Sequence, residues 1–216
     1  MERLYSFLIG YAFGLIQTAY IYGKMHGIDI RQHGSGNAGT TNTLRVFGTK
    51  AGLIVLAGDI AKCMVALAVV TALFKGSHPE TIYLLKMYAA AGVILAHDFP
   101  FYMNFKGGKG IAATAGLILS FHPSFIPVGV ILFFGIFLTT HYVSLGSLLV
   151  YAGFVIQLII SGQLGILGDM SQAQLMEMYV IGIALAALAY YQHRANIVRL
   201  WKHEERKTYL FKKNKE

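Results

Sequence analysis

With 216 residues, 56% of them hydrophobic and 13% charged, the chain carries about half the roughly 25% charge of a soluble domain. That excludes a water-soluble globular protein and leaves no room for a second, soluble domain. The single cysteine, Cys63, lies inside an apolar run, which excludes a disulfide framework and a cysteine-built zinc site.

The first apolar stretch, residues 4–22, follows Arg3 but has no small-residue cleavage site with a polar mature domain behind it. It is expected to remain in the protein as a span. Gly10 and Gly14 give it a small-xxx-small face suited to close helix packing. Further apolar windows predict spans over 52–74, 81–96, 110–121, 124–140, 142–160 and 174–192. The expectation is an all-α, polytopic membrane protein of seven transmembrane helices. The fourth window is short and passes through Phe121, His122 and Pro123 almost directly into the fifth, a pattern that a re-entrant segment would share.

The net charge of +8 is unevenly spread, and its distribution sets topology. Lys24, Arg31, Arg45 and Lys50 lie between the first two windows, Lys106 and Lys109 between the third and fourth, and eight more Lys and Arg after Tyr191. Only an odd number of spans puts all of these on one side. The N-terminus is therefore expected outside, the loop 161–173 outside and the C-terminus cytoplasmic. The chain reads as one membrane domain over 1–216, with a short basic tail from about 194 to 216. Within the second span, Asp59 and Lys62 stand three apart on one helical face. Each alone would cost roughly 2.5 to 3.5 kcal/mol at mid-bilayer, so a structural ion pair is expected.

The loop after the first span reads GSGNAGTTNTLRVFG over 34–48. Its glycines let the backbone approach an anion, and Ser35 or Asn37 can cap the helix that follows. The free amides and positive dipole end of that helix then suit a phosphate, and Gly48 is a natural stop. Thr41 and Arg45, four apart, share a face. Residues 34–39 fit G-x-G-x-x-G, but without the strand and βαβ unit that a dinucleotide site requires. The loop HDFPFYMNFKGGKG over 97–110 sets Lys106 and Lys109 among Gly107, Gly108 and Gly110. A P-loop would need glycine at Met103 and Ser or Thr at Gly110, so ATP hydrolysis is disfavoured. Phe99, Phe101, Tyr102 and Phe105 suit an interfacial aromatic belt. In HRANIVRL over 193–200, His193 and Asn196 share a face, while Arg194 and Arg199 suit anionic headgroups. HYVSLGS over 141–147 adds Ser144 and Ser147. The predicted topology brings all four stretches to one leaflet.

Together these stretches resemble the bacterial acyl-phosphate-dependent glycerol-3-phosphate acyltransferases, small seven-span enzymes that start phospholipid synthesis. The resemblance covers nearly the whole chain. It rests on GSGNAGTTNTLR (34–45), HDFPFYMNFKGGKGIAAT (97–114), YVSLGS (142–147) and HRANIVRL with Glu205 (193–205). His141 stands where the family usually has arginine, Cys63 where a glycine follows the span-two lysine, and His203 where a glycine precedes the final glutamate.

The resemblance implies transfer of a fatty acyl group from acyl phosphate to the 1-hydroxyl of sn-glycerol 3-phosphate, giving lysophosphatidate and inorganic phosphate. It implies a monomer in the bacterial inner membrane with its site facing the cytoplasm, using no cofactor or metal and binding membrane lipid but no nucleic acid. Catalytic roles fall to His193, Lys109, Asn196 and Arg45. Substrate contacts fall to Ser35, Gly36, Asn37, Thr41, Asn42, Lys106, Gly107, Gly108, Ser144 and Ser147, and structural roles to Glu205, Asp59 and Lys62. The acyl phosphate would sit on the amides of 35–37 and the glycerol phosphate near Arg45, Lys109, Ser147, His193 and Asn196, with the reverse allocation open. Loop amides or Lys109 would meet the oxyanion. No histidine has an aspartate five positions on, so the proton goes to His193 or to a substrate phosphate oxygen.

Two other classes compete. A transporter of phosphate or organic phosphates would place its binding residues at mid-membrane between structural repeats, whereas no repeat is evident and the polar motifs lie at one face. A metal enzyme using His33, His97, Asp98 and His193 would have to gather residues scattered in loops.

Overall fold

The computed structural model describes residues 1–209, which are helical without a strand. The first window is two helices, α1 (Glu2–Gly14) and α2 (Thr18–Met25), followed by α3 (Thr40–Phe47), α4 (Thr49–Phe74), α5 (Ile82–Asp98), α6 (Ile111–Phe121), α7 (Phe125–Thr140), α8 (Val143–Gln163), α9 (Gln172–Gln192) and α10 (Arg194–Trp201). Among the described residues, five segments are long and apolar enough to cross a membrane: Glu2–Met25, Thr49–Phe74, Ile82–Met103, Val143–Gln163 and Gln172–Gln192. Large apolar side chains on the outer faces, such as Ile131, Leu138 and Val180, are more than half exposed, as suits a surface in contact with lipid.

The two remaining apolar helices, α6 and α7, have 11 and 16 residues. At about 1.5 Å per residue they reach roughly 17 and 24 Å, less than the roughly 30 Å hydrocarbon layer. Their direction still alternates. Phe121, at the end of α6, packs edge-on against Tyr83 at the start of α5, while His141, at the end of α7, lies beside Thr208 at the opposite end. Lys86 reaches the closing carbonyls of α6, donating to Ser120 O and Phe121 O at 3.1 Å each.

The first window breaks just after Gly14, without a proline. Gln17 leaves the helical region at φ −96°, ψ 86° and is fully buried. Its amide nitrogen donates to Gly14 O, Ala96 O and His97 O at 3.1 to 3.2 Å. The carbonyls released by the break are also met: Tyr102 OH donates to Leu15 O and Lys62 Nζ to Ile16 O. Irregular backbone at membrane depth persists only when neighbours satisfy it in this way. The other end of α1 is held by Arg3, whose Nε donates to Glu177 Oε1 of α9 at 2.7 Å.

The small-residue face of α1 packs as expected. Gly10 and Gly14 lie against the α5 backbone at Ala89 and Val93, and Gly92 of α5 lies against Phe7 O. The Asp59–Lys62 pair also forms, at 2.9 Å with both side chains buried. Most helices overrun their windows by two or three residues. α4 starts at Thr49, directly after Gly48 (φ +88°), and the chain breaks at His193, so that α10 is a separate helix instead of an extension of α9. The basic tail folds back over the bundle end as far as residue 209; Lys212, Lys213 and Lys215 lie outside the described residues. A methyl group at Gly92 would overlap the Phe7 carbonyl oxygen. Gly92→Ala is therefore expected to destabilise the protein by about 1 to 3 kcal/mol, measurable as earlier thermal unfolding in detergent.

Candidate active site

At the end where α1, α5, α7 and α9 finish and α4, α6 and α8 begin, a cleft of about 540 Å³ is lined by Ser35, Asn37, Thr41, Arg45, Lys109, Ser147, His193 and Asn196, among others. All four motif stretches contribute. The loop 34–39 makes its turn through Gly34 (φ +60°) and Gly36 (φ +73°), backbone that favours glycine. Asn42 holds it from beneath. Its Oδ1 accepts from Ser35 N at 2.7 Å, and its amide donates to His33 O and Ile30 O at 3.0 and 3.2 Å. Both amide hydrogens are thereby engaged, so Asn42 shapes the loop even though it lines the cleft. Neither Ser35 nor Asn37 caps the next helix. α3 starts at Thr40 with Gly39 as an N-cap that offers no side chain, which leaves first-turn amides free for an anion.

The opposite wall is one hydrogen-bonded chain. Glu205 Oε1 accepts from Ser144 Oγ at 2.9 Å and Asn196 Nδ2 at 2.6 Å, and Oε2 accepts from Arg199 Nε at 2.7 Å. A carboxylate only accepts, so the Asn196 amide must turn its nitrogen to Glu205 and its oxygen outward. That oxygen accepts from Lys109 Nζ. Glu205 thus fixes Asn196, and Asn196 orients Lys109. The tail continues the strap: Thr208 N donates to His141 O at 2.9 Å, and Arg45 donates to Thr208 Oγ1 at 3.1 Å. His203, standing where the family usually has glycine, takes φ +57° to make the turn.

The charges here are strongly biased. Arg45, Lys109, Arg199 and Arg206 face one cleft with Asp59 and Glu205. Burial, and then the Arg199 guanidinium, push Lys109 down to about 8. Burial, and then Arg206, lower Arg45, which remains a guanidinium. Burial, and then Lys109, push His193 down to about 4, so it is neutral near pH 7. Its Nδ1 lies 2.8 Å from Ala189 O. A carbonyl can only accept, so Nδ1 carries the proton and Nε2 is the acceptor nitrogen.

Some candidates fall elsewhere. Lys106 is exposed and outside the cleft lining. Gly107 and Gly108 do not line it either; they pack against the backbone and ring of His97. Other residues were missed from the sequence: Thr40, whose buried hydroxyl has no partner among the described residues, Arg206, and the apolar lining by Leu56, Ile111, Ala112, Phe133 and Val143. Arg206 and Thr208 lie in the stretch read as a solvated tail, and no local signal marks them.

The glycerol-3-phosphate acyltransferase family profile matches residues 4–203. Glycerol-3-phosphate acyltransferase 2 of Bacillus cereus is 36% identical over 211 residues, spanning 97% of this chain and 96% of that protein. The chain belongs to the glycerol-3-phosphate acyltransferase family. A Chlorobaculum tepidum glycerol-3-phosphate acyltransferase is 35% identical over 228 residues, spanning 96% of this chain and 97% of the other. The crystal structure of PlsY (YgiH), an integral membrane glycerol 3-phosphate acyltransferase, in its glycerol 3-phosphate form superposes with a TM-score of 0.82 at 28% identity, covering 98% of this chain and all of that one. Its lysophosphatidic acid form gives 0.79 at 27% identity. The protein is thus an integral membrane acyltransferase of phospholipid synthesis, acting on glycerol 3-phosphate.

In this acyltransferase the Lys109 value carries a sign. The ammonium is the acidic form, so lowering it to about 8 makes the cation disappear as pH rises through that value. kcat/KM for glycerol 3-phosphate is expected to fall about tenfold per pH unit well above it. Lys109→Arg, which keeps its charge, should abolish that limb in a pH–rate profile.

Proposed function

We propose that the cleft holds an acyl phosphate and sn-glycerol 3-phosphate side by side and moves the acyl group to the 1-hydroxyl, releasing inorganic phosphate. The observation that carries this is the gathering of Arg45, Lys109 and the open α3 N-terminus around one cleft. Two phosphate dianions repel, and cations and oriented amides offset the repulsion. The acyl phosphate takes the amides of 35–37 and the start of α3. The glycerol phosphate takes Arg45, Lys109, Ser147, His193 and Asn196. The acyl chain leaves along Leu56, Ile111, Ala112, Phe133 and Val143, an apolar lining continuous with the membrane-facing helices.

In the reaction the glycerol hydroxyl oxygen bonds to the carbonyl carbon and the carbon–oxygen bond to phosphate breaks. Lys109 and the loop amides stabilise the oxyanion between those events. The hydroxyl proton passes to a phosphate oxygen. His193, pushed down to about 4, is the weaker base beside a phosphate whose second pKa is about 6. Its role is to accept a hydrogen bond from a substrate hydroxyl at Nε2.

The enzyme is a monomer forming one membrane domain, with seven crossings counting α1–α2 as one and including the short α6 and α7. Its cleft faces the cytoplasm from a bacterial inner membrane. The Lys and Arg bias supports this orientation, and the alternating direction of the helices supports the number of crossings. Single cysteines at 36 and 197, with buried Cys63 silent, should label from the same side and a cysteine at 165 from the other. Labelling of 36 and 197 from opposite sides would sink the topology.

Purified enzyme given glycerol 3-phosphate with acyl phosphate, acyl-CoA or acyl carrier protein in turn should release lysophosphatidate with the first alone. His193→Gln should raise KM for glycerol 3-phosphate about tenfold and leave kcat within a few-fold. A collapse of kcat by about a thousandfold would instead make His193 the base.

A further inference from the structure

Behind the cleft lies a buried polar cluster that the transfer chemistry leaves unused. Lys62 Nζ has three neighbours: Asp59 Oδ1 at 2.9 Å, Ile16 O at 2.8 Å and His97 Nδ1 at 2.8 Å. An ammonium has three N–H donors and no acceptor. A carboxylate and a carbonyl take two of them, so the third goes to Nδ1, which must then be the acceptor. A neutral imidazole with Nδ1 accepting carries its proton on Nε2. His97 Nδ1 is 3.9 Å from Asp59 Oδ1, beyond hydrogen-bond reach, so the aspartate acts on the ring only through Lys62. Thr18 Oγ1 closes the cluster by donating to Asp59 Oδ1 at 3.0 Å.

The other edge of the ring faces the loop that carries Lys109. A methyl group on Gly108 would overlap His97 Nε2, and one on Gly107 would overlap His97 O. The amides of Gly107 and Gly108 donate to Asp98 O and His97 O at 3.1 Å each. Gln17 holds the same stretch from behind, donating to His97 O. Gly108, next to Lys109, is therefore seated on one side chain whose tautomer a second side chain dictates, and the loop is tied to that residue's backbone. Both His97 and Asp59 reach the cleft lining.

We propose that His97 is the positioning residue for Lys109, a platform locked in its Nε2-protonated form by the Lys62 ammonium, with Asp59 keeping that ammonium in place. Gly108 is small because this ring occupies its side-chain space, and Gly107 because the His97 carbonyl does. The inference rests on Lys109 acting in the transfer.

The test uses the full-length enzyme in detergent. Asp59→Asn combined with Lys62→Met removes both charges together, because either change alone would strand a bare buried ion. Nitrogen NMR of histidine-labelled wild type, with the His97 signals identified by their loss in His97→Asn, should show an unprotonated Nδ1. The double variant should show mixed tautomers and a kcat/KM for glycerol 3-phosphate lower by about tenfold to a hundredfold, with earlier thermal unfolding because Ile16 O loses its donor. A protonated Nδ1 in the wild type, or unchanged kinetics in the folded double variant, overturns the proposal. If the double variant does not fold, Gly108→Ala decides. It should lose activity against the ring, and Gly108→Ala with His97→Ala should be more active than either single variant; a pair no better than the singles overturns the proposal. Lys109→Met with undiminished kcat/KM would instead sink the catalytic role of Lys109 itself, a separate failure.

Discussion

Glu205 reaches back from the tail to accept hydrogen bonds from Ser144, Asn196 and Arg199, and the rest of the site is arranged around that carboxylate. Because it can only accept, it dictates which way the Asn196 amide faces, and the amide oxygen dictates where the Lys109 ammonium points. One buried anion thus ties α8, α10 and the loop before α6 into a single wall. Charge-assisted hydrogen bonds of this kind are roughly twice as strong as neutral ones. The break at His193 is what swings α10 across so that Asn196 and Arg199 can reach it.

Facing that wall, the open start of α3 and Arg45 supply the second half of a cationic cleft. Burying a cation and then crowding it with others costs free energy in the empty protein, and Lys109 is lowered first by burial and then by Arg199. In the proposed reading the substrate phosphates relieve the strain, so the same arrangement that is unfavourable when empty is complementary when loaded. His193 carries no charge into this balance, and its Ala189 bond leaves the accepting nitrogen for a hydroxyl.

Deeper in the membrane, the helix break and the ion pair are tolerated because neighbouring side chains satisfy them. The break between α1 and α2 frees carbonyls that Gln17, Tyr102 and Lys62 satisfy. The same Lys62 neutralises Asp59 and bonds His97. Helix interruption, ion pair and the loop that carries Lys109 are therefore one connected construction; removing one member would leave a buried polar group unmet.

What the sequence determined by itself are the properties that repeat locally or sum along the chain. Apolar windows marked the helices, the Lys and Arg bias gathered the four motif loops at one end, Gly48 stopped α3, and Asp59 with Lys62 announced a pair three residues apart. The family motifs also named most of the cleft lining. Only the tertiary structure decided the break at Gln17, whose carbonyl partner His97 lies 80 residues away. The same holds for the tail strap, in which Arg45 meets Thr208 across 163 residues. It separated Lys109, inside the cleft, from Lys106, outside it, although both belong to one short loop. It also showed Gly107 giving way to the His97 carbonyl and Gly108 to the His97 ring. Periodicity and composition report only what neighbours within a turn or two do to each other; hydrogen bonds between distant segments are set by packing.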